Sequence, residues 1–223
     1  LRVSAYGEPD EYAFTQPFYL TSGSKDEPAF PFATVTAIDS PIAISGALTD
    51  PRWSSIEPLC RFGETNSGKR AIFSPTVKLA SDGKSLFIGI RCLEPLLNEM
   101  KLGVTANGDN RLWSDAGFEI FMDPTNERKS YYQLMLNASG FSHIQSYDSP
   151  AYQGTIMSKA SRFEDGYMLE IAIPISGFGA AGQSKRWAIN IARNKFTAPR
   201  EQSQWSPTSG NYHSPKRFGE IRF

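Results

Sequence analysis

Cysteine, histidine and net charge are what this sequence is short of, and each shortage removes a class of function. Cys60 and Cys92 are the only cysteines, and His143 and His213 the only histidines, in 223 residues. Neither pair has metal-ligand spacing, so a zinc centre is a poor reading. The cysteines fit one disulfide or two buried free thiols, and the sequence leaves both open. Lys+Arg and Asp+Glu number 23 each, a formal net charge of zero, which argues against nucleic acid as the main partner because phosphate binding needs a basic footprint. No stretch reaches the ~20 apolar residues of a membrane helix, so no membrane span is expected. A charged-then-apolar leader is also missing. The start at Leu1 fits a processed or trimmed chain, and compartment cannot be read from a leader. GxSxG, GxGxxG and GxxxxGK[ST] do not occur, which removes the commonest nucleophile and phosphate-loop signatures.

What remains is an ordinary globular composition, 40% hydrophobic and 21% charged, on a chain long enough to bury a core without staples. Residues 1–34, with Pro9, Pro17, Pro28 and Pro31, read as an extended N-terminal arm or linker with few strands. From residue 35 to 223 short β-like runs alternate with turns. TVTAID, PIAIS and SPTVKLA come first; Asp82-Gly83-Lys84 then turns into SLFIGIRCL, a hairpin signature. GFEIFMD, YYQLMLN, FSHIQSY, GTIMSKA, YMLEIAIP, RWAINIARN and RFGEIRF follow. DPRWSSIEPL is the one place for a short turn of helix. This spacing predicts an all-β fold, an antiparallel β-sandwich of jelly-roll or immunoglobulin-like type behind the arm.

Two segments could carry chemistry. DNRLWSDAGFEIFMDP (109–124) gathers carboxylates around Trp113. Alternation puts Glu119 on a face with Gly117 and Phe121, while Phe118, Ile120 and Met122 form the other, core-like face. Glu119 then either hydrogen-bonds a sugar hydroxyl beside an aromatic platform or sits on a solvated strand face. WSPTSGNYHSPKRFGEIRF places Trp205, Tyr212 and His213 in a Pro/Ser/Gly-rich loop, where rings can be held out toward a ligand; for Trp205 packing beneath the loop is favoured. Arg193 ends the row Trp187, Ile189, Ile191, so it is either paired to a buried carboxylate or reaches into a cleft. Asp109, Asn110, Asp123 and Asn126 are candidate oxygen ligands for a structural calcium ion.

Taken in order, ISGALTDPRW (44–53), TVKLASDGKSLFIGIRCLEP (76–95), LWSDAGFEIFMDP (112–124), YYQLMLNASG (131–140), GYMLEIAIP (166–174), WAINIARN (187–194) and the C-terminal segment resemble carbohydrate-binding module family 9 over roughly residues 38–223. The resemblance implies a non-catalytic β-sandwich attached to secreted polysaccharide-degrading enzymes, with a carbohydrate ligand and a catalytic domain in the same parent protein as partners. It implies a secreted, extracellular or periplasmic location and a structural calcium. Xylan or cellulose chain ends lie between two rings in such modules; Trp113 stands where the first is expected and Tyr212 where the second is, with Glu119 as the hydrogen-bonding carboxylate. An expected Arg is replaced near Met135 and an expected Gln near Ala192, with Arg193 one place along.

Two other readings compete. A related haem-binding sandwich would need axial ligands from Met135, His143 or Met157. A glycoside hydrolase would need two carboxylates set across the substrate.

Overall fold

A computed structural model describes residues 30–59 and 61–223; most of the N-terminal arm, and Cys60 with any pairing to Cys92, lie outside them. The chain runs β1 (Phe32–Thr34), β2 (Thr36–Ala37), the one-turn helix α1 (Arg52–Ser55), β3 (Gly63–Glu64), β4 (Thr76–Ser81), β5 (Ser85–Leu93), β6 (Gly117–Asp123), β7 (Tyr131–Asn137), β8 (Ser142–Tyr147), β9 (Met157–Phe163), β10 (Gly166–Pro174), β11 (Arg186–Lys195), β12 (Glu201–Gln204) and β13 (Gly219–Arg222). One sheet has the order β1-β13-β11-β6-β7-β8, with β12 on β11 and β3 on β12; the other is β2-β4-β5-β10-β9. The two sheets pack as a β-sandwich.

Two departures from the expected topology share one cause. β1 runs parallel to β13, and β2 runs parallel to β4, so the sheets are mixed rather than wholly antiparallel. β1 and β2 are one continuous stretch that pairs first in one sheet and then in the other, with Val35 buried between them. That stretch bridges the two sheets along one edge of the sandwich. The sheet therefore begins at Phe32, inside the segment read as an arm.

The strands follow from alternation. Phe118, Ile120 and Met122 of β6 and Tyr132, Leu134 and Leu136 of β7 share one buried cluster with Leu86, Ile88 and Ile90 of β5 and Leu169, Ile171 and Ile173 of β10. The β4–β5 hairpin turns at Asp82-Gly83, where Asp82 Oδ1 accepts from Lys84 N at 2.9 Å and Ser85 N at 2.8 Å; Gly83 takes φ +81°, a left-handed value that glycine adopts without strain. At the start of β6, a Cβ on Gly117 would lie 2.0 Å from the Leu136 carbonyl oxygen. Gly117→Ala is therefore expected to lower stability by about 1–3 kcal/mol, because β7 must shift to admit it. A urea midpoint equal to wild type would contradict this close approach.

Both sheets are covered on their outer faces too. On the second sheet, Ile42, Trp53 and Ile56 pack over Ala80, Phe87 and Ala172, which explains why SLFIGIRCL is apolar on both faces. PIAIS, expected as a strand, is not one. Its end is tied to a side chain instead: Glu170 Oε2 accepts from Ser45 N at 2.7 Å and from Gly46 N just after the segment, and Oε1 accepts from Trp53 Nε1 at 2.7 Å.

Two irregular lobes cover the outer face of the first sheet. Residues 100–116 lay Val104 and Leu112 against Met135. Asp115 pins this lobe, accepting from Gly103 N and Val104 N at 2.9 Å each and from Asn137 Nδ2 at 3.0 Å. Residues 205–218 lay Tyr212 and Phe218 against Phe121, Tyr131, Ala188 and Ala192. Asn190 pins that lobe, accepting from Ser206 N at 2.9 Å and donating to the Ser206 carbonyl at 3.0 Å.

A buried polar hub sits where β11 meets the segments after β5 and β11. Arg193 Nη2 donates to the Leu93 carbonyl at 2.6 Å and lies 3.8 Å from Glu94 Oε2. Lys195 Nζ lies 3.7 Å from Glu94 Oε1 and donates to Thr197 Oγ1 at 2.8 Å and to the Thr197, Ala198 and Pro199 carbonyls at 3.1, 3.2 and 3.0 Å. The Thr197 hydroxyl donates to Glu94 Oε1 at 2.7 Å. Burial pushes the neighbouring Cys92 thiol above its ordinary pKa, which keeps it protonated and inert.

Candidate functional site

Between the two lobes the outer face of the first sheet stays open as a cleft of about 590 Å³, within the range of small-molecule sites. Alternation builds its floor. Glu119 on β6, Gln133 on β7, Gln145 and Tyr147 on β8, Asn194 on β11 and Gln202 on β12 all reach it. Cross-strand pairing sets Glu119 opposite Ala192 on one side and Met135 on the other, which centres the carboxylate in the sheet. One wall holds Asn110 and Trp113 from the 3₁₀ turn Asn110–Ser114; the other holds Asn211, Tyr212 and His213.

The floor is a hydrogen-bonded net. Gln133 Nε2 donates to Glu119 Oε2, and Asn194 Nδ2 donates to Glu119 Oε1 at 2.7 Å. Gln145 Nε2 and the Tyr147 hydroxyl donate to Gln133 Oε1 at 2.7 and 2.8 Å. Gln202 Nε2 and the Tyr212 hydroxyl donate to Asn194 Oδ1 at 3.1 and 3.0 Å. Burial raises the Glu119 pKa above the usual glutamate value, with the two amide bonds opposing that shift. Burial likewise raises the Tyr212 phenol and lowers His213, so the imidazole is neutral at pH 7. His213 Nδ1 is 2.8 Å from the Tyr131 hydroxyl, whose own pKa burial pushes up to about 12.

The structure brings Trp113, Glu119, Tyr212 and His213 together around this cleft. Trp113 is 59% exposed, whereas Trp53, Trp187 and Trp205 are buried; Trp205 packs into the core beneath its loop, as favoured. Arg193 does not join the site. Its Cα pairs with Phe118 rather than with Glu119, so its side chain enters the inter-sheet space and ends on Glu94.

The calcium quartet does not converge. Asp109 precedes β6 and Asp123 ends it, a strand about 20 Å long at the usual rise, so the two halves stand at opposite ends. The Asp109 carboxylate is taken by Arg111, through Nη2 at 2.6 Å and the backbone N at 2.9 Å, and this pairing holds its pKa down to about 2. Asp123 accepts from the Thr125 hydroxyl at 2.6 Å and from Arg128 N at 2.6 Å. Asn126 donates to Glu220 at 3.2 Å and keeps one buried oxygen without a partner among the described residues. Asn110 lines the cleft instead. These four side chains do not fit a single ion, and no group of three or more His, Cys, Asp or Glu among the described residues is placed to hold one.

The competing readings meet similar geometry. Met135 and His143 are direct cross-strand partners, so they stand side by side rather than on the two sides of a porphyrin, and Met157 belongs to the other sheet. Glu119 is the one carboxylate among the described residues lining the cleft, whereas paired-carboxylate glycoside hydrolysis needs two.

Gln133, Gln145, Tyr147, Asn194 and Gln202 escape sequence reasoning. One signal was available. Met135 and Ala192 stand where polar contacts are expected, and Gln133 and Asn194 lie two residues from them, on the same faces by alternation.

A family model described as carbohydrate family 9 binding domain-like matches residues 44–223. A carbohydrate binding module family 9 from Caldicellulosiruptor kristjanssonii in complex with cellotriose shares 20% identity at a TM-score of 0.61, covering 86% of this chain and 92% of that one. The corresponding glucose complex gives 19%, 0.59, 86% and 94%. A candidate carbohydrate-binding protein from Bacteroides uniformis ATCC 8492 gives 17% identity and a TM-score of 0.68 over 87% of this chain and all of that one, 100%. Among curated protein sequences no relative matches.

Proposed function

Because the chain belongs to the carbohydrate family 9 binding domain-like family, we propose that its cleft holds the end of a neutral oligosaccharide or polysaccharide chain between the rings of Trp113 and Tyr212. One observation carries this reading: an exposed indole stands over a floor of amides, phenol hydroxyls and one carboxylate, with no lysine or arginine lining the cleft among the described residues. Sugar C–H faces bury against rings, and sugar hydroxyls exchange hydrogen bonds with amides and carboxylates. The family, together with similar structures that hold cellotriose and glucose, supports a cellulose-type ligand, and a xylan chain end is the second candidate. In this reading the domain is a binding module of a secreted polysaccharide-degrading system, delivering a catalytic partner to its substrate.

Tryptophan fluorescence tests the proposal. Three of the four indoles are buried, so a saturable change in the solvent-sensitive emission reports Trp113. Titration with cellotriose, xylotriose and glucose is expected to give such a change with at least one of them. A flat response across neutral oligosaccharides sinks the proposal.

A further inference from the structure

Glu119 occupies the place of a direct sugar ligand, yet both of its oxygens are already engaged by neighbouring amides. We propose that Glu119 is a positioning residue, which fixes the direction of hydrogen bonding in the whole cleft floor and so decides where a ligand meets donors and where it meets acceptors. The inference rests on the carbohydrate reading for the identity of that ligand.

The argument is one of donor and acceptor inventory. An ionised carboxylate only accepts. Gln133 and Asn194 must therefore turn their NH₂ groups toward Glu119 and their carbonyl oxygens away from it. Each outward oxygen then calls for donors, and each finds two: Gln145 and Tyr147 at Gln133 (2.7 and 2.8 Å), Gln202 and Tyr212 at Asn194 (3.1 and 3.0 Å). Gln145 Nε2 also donates to the Tyr147 hydroxyl, which leaves the Gln145 carbonyl oxygen as an acceptor for a ligand. Two arms on either side of one carboxylate thus share a single polarity. Protonating Glu119, or replacing it by an amide, turns one of its oxygens into a donor. The facing arm then reverses, and NH₂ groups meet NH₂ groups unless Gln145 or Gln202 reverses as well. Low-dielectric surroundings make such mismatches costly.

The other titratable groups on this face are Tyr131 on β7, His143 and Tyr147 on β8, and Tyr212 and His213 on the 205–218 lobe; on the opposite lobe Trp113 and Asn110 do not titrate and Arg111 holds the Asp109 pKa down to about 2. The phenols ionise far above the glutamate range, so His143 and His213 are the groups to control for.

The test needs no sugar at its first stage. The side-chain NH₂ resonances of Gln133 and Asn194 in ¹⁵N-labelled protein are followed as pH falls from neutral. Both are expected to move together, with one midpoint above the ordinary glutamate value of 4.5. The transition should vanish in Glu119→Gln and persist in both His213→Gln and His143→Gln. In the second stage, cellotriose affinity by calorimetry should fall as pH drops through the same midpoint. In Glu119→Gln it should be about tenfold weaker, the size expected for one misdirected charge-assisted hydrogen bond, and flat across that range. Amide resonances that ignore pH overturn the inference, and so does Glu119→Gln binding with wild-type affinity and profile. Titrating amides in a wild-type protein that binds no sugar uphold the net and defeat the carbohydrate reading instead. The wild-type titration stands even if Glu119→Gln fails to fold.

Discussion

Replacing Glu94 by alanine is expected to remove about 3–5 kcal/mol of stability, the usual cost of leaving buried charge without its partner. Arg193 and Lys195 are 1% and 0% exposed at the side chain, and Glu94 lies within 3.8 and 3.7 Å of them. The described hub therefore holds two cations against one carboxylate. Removing that carboxylate leaves Arg193 with two carbonyls and the Tyr167 side chain but no anion and takes from Lys195 its only anionic neighbour in the hub. It also strands the Thr197 hydroxyl, which donates to Glu94 at 2.7 Å. Domains of this kind hold about 5–15 kcal/mol in total, so the variant loses a fifth or more of it. At about 2–4 °C per kcal/mol for a chain of this size, the melting temperature should drop by on the order of 10 °C. The urea midpoint should fall while the slope stays unchanged. A midpoint at the wild-type value would mean that water reaches the hub.

Trp113→Ala is expected to do the opposite, abolishing most binding while sparing the fold. Its indole is 59% exposed, and exposed substitutions of this kind stay within about 0.5 kcal/mol of wild-type stability. Loss of a stacking ring at the centre of a site costs about 1–3 kcal/mol, roughly a 5- to 150-fold weaker dissociation constant. Tyr212→Ala should lose affinity and stability together. Its ring packs edge-on against Phe121 at a centroid distance of 6.2 Å, and its hydroxyl holds Asn194 at 3.0 Å. Calorimetric titration with cellotriose beside thermal melts separates the two behaviours. Equal affinity in wild type and Trp113→Ala defeats the two-ring cleft.

How much of this could be read from the residues depends on what alternation sees. It places Phe118, Ile120 and Met122 in the core and Glu119 outside it, because side-chain parity along a strand is local. It also places Arg193 with Trp187, Ile189 and Ile191, but which face of β11 matches which face of β6 is a matter of register between segments about seventy residues apart. Whether Arg193 met the cleft or Glu94 was therefore open until the pairing was known. Glutamines and asparagines on strands, such as Gln133, Gln145 and Asn194, look like a solvated face. They become a site only because the 100–116 and 205–218 lobes fold over the sheet. Those lobes have no period to read; their anchors, Asp115 and Asn190, are single side chains that bind backbone 11 and 16 residues away. PIAIS fails for a related reason, since an alternating apolar pattern cannot tell a segment that pairs with a strand from one whose end is tied to a carboxylate, as Ser45 is to Glu170.

Lys195 gives the segment after β11 a counter-ion that is part of the chain. Its ammonium sits among three carbonyls, a hydroxyl and a carboxylate, an oxygen-rich nest of the kind hard cations favour. A bound ion in such a nest could be diluted, exchanged or stripped by a chelator. A covalently tethered one cannot leave, so the bend that returns the chain from β11 to β12, and with it the seating of Asn194 and Gln202 at the cleft, is held independently of the ionic make-up of the surroundings.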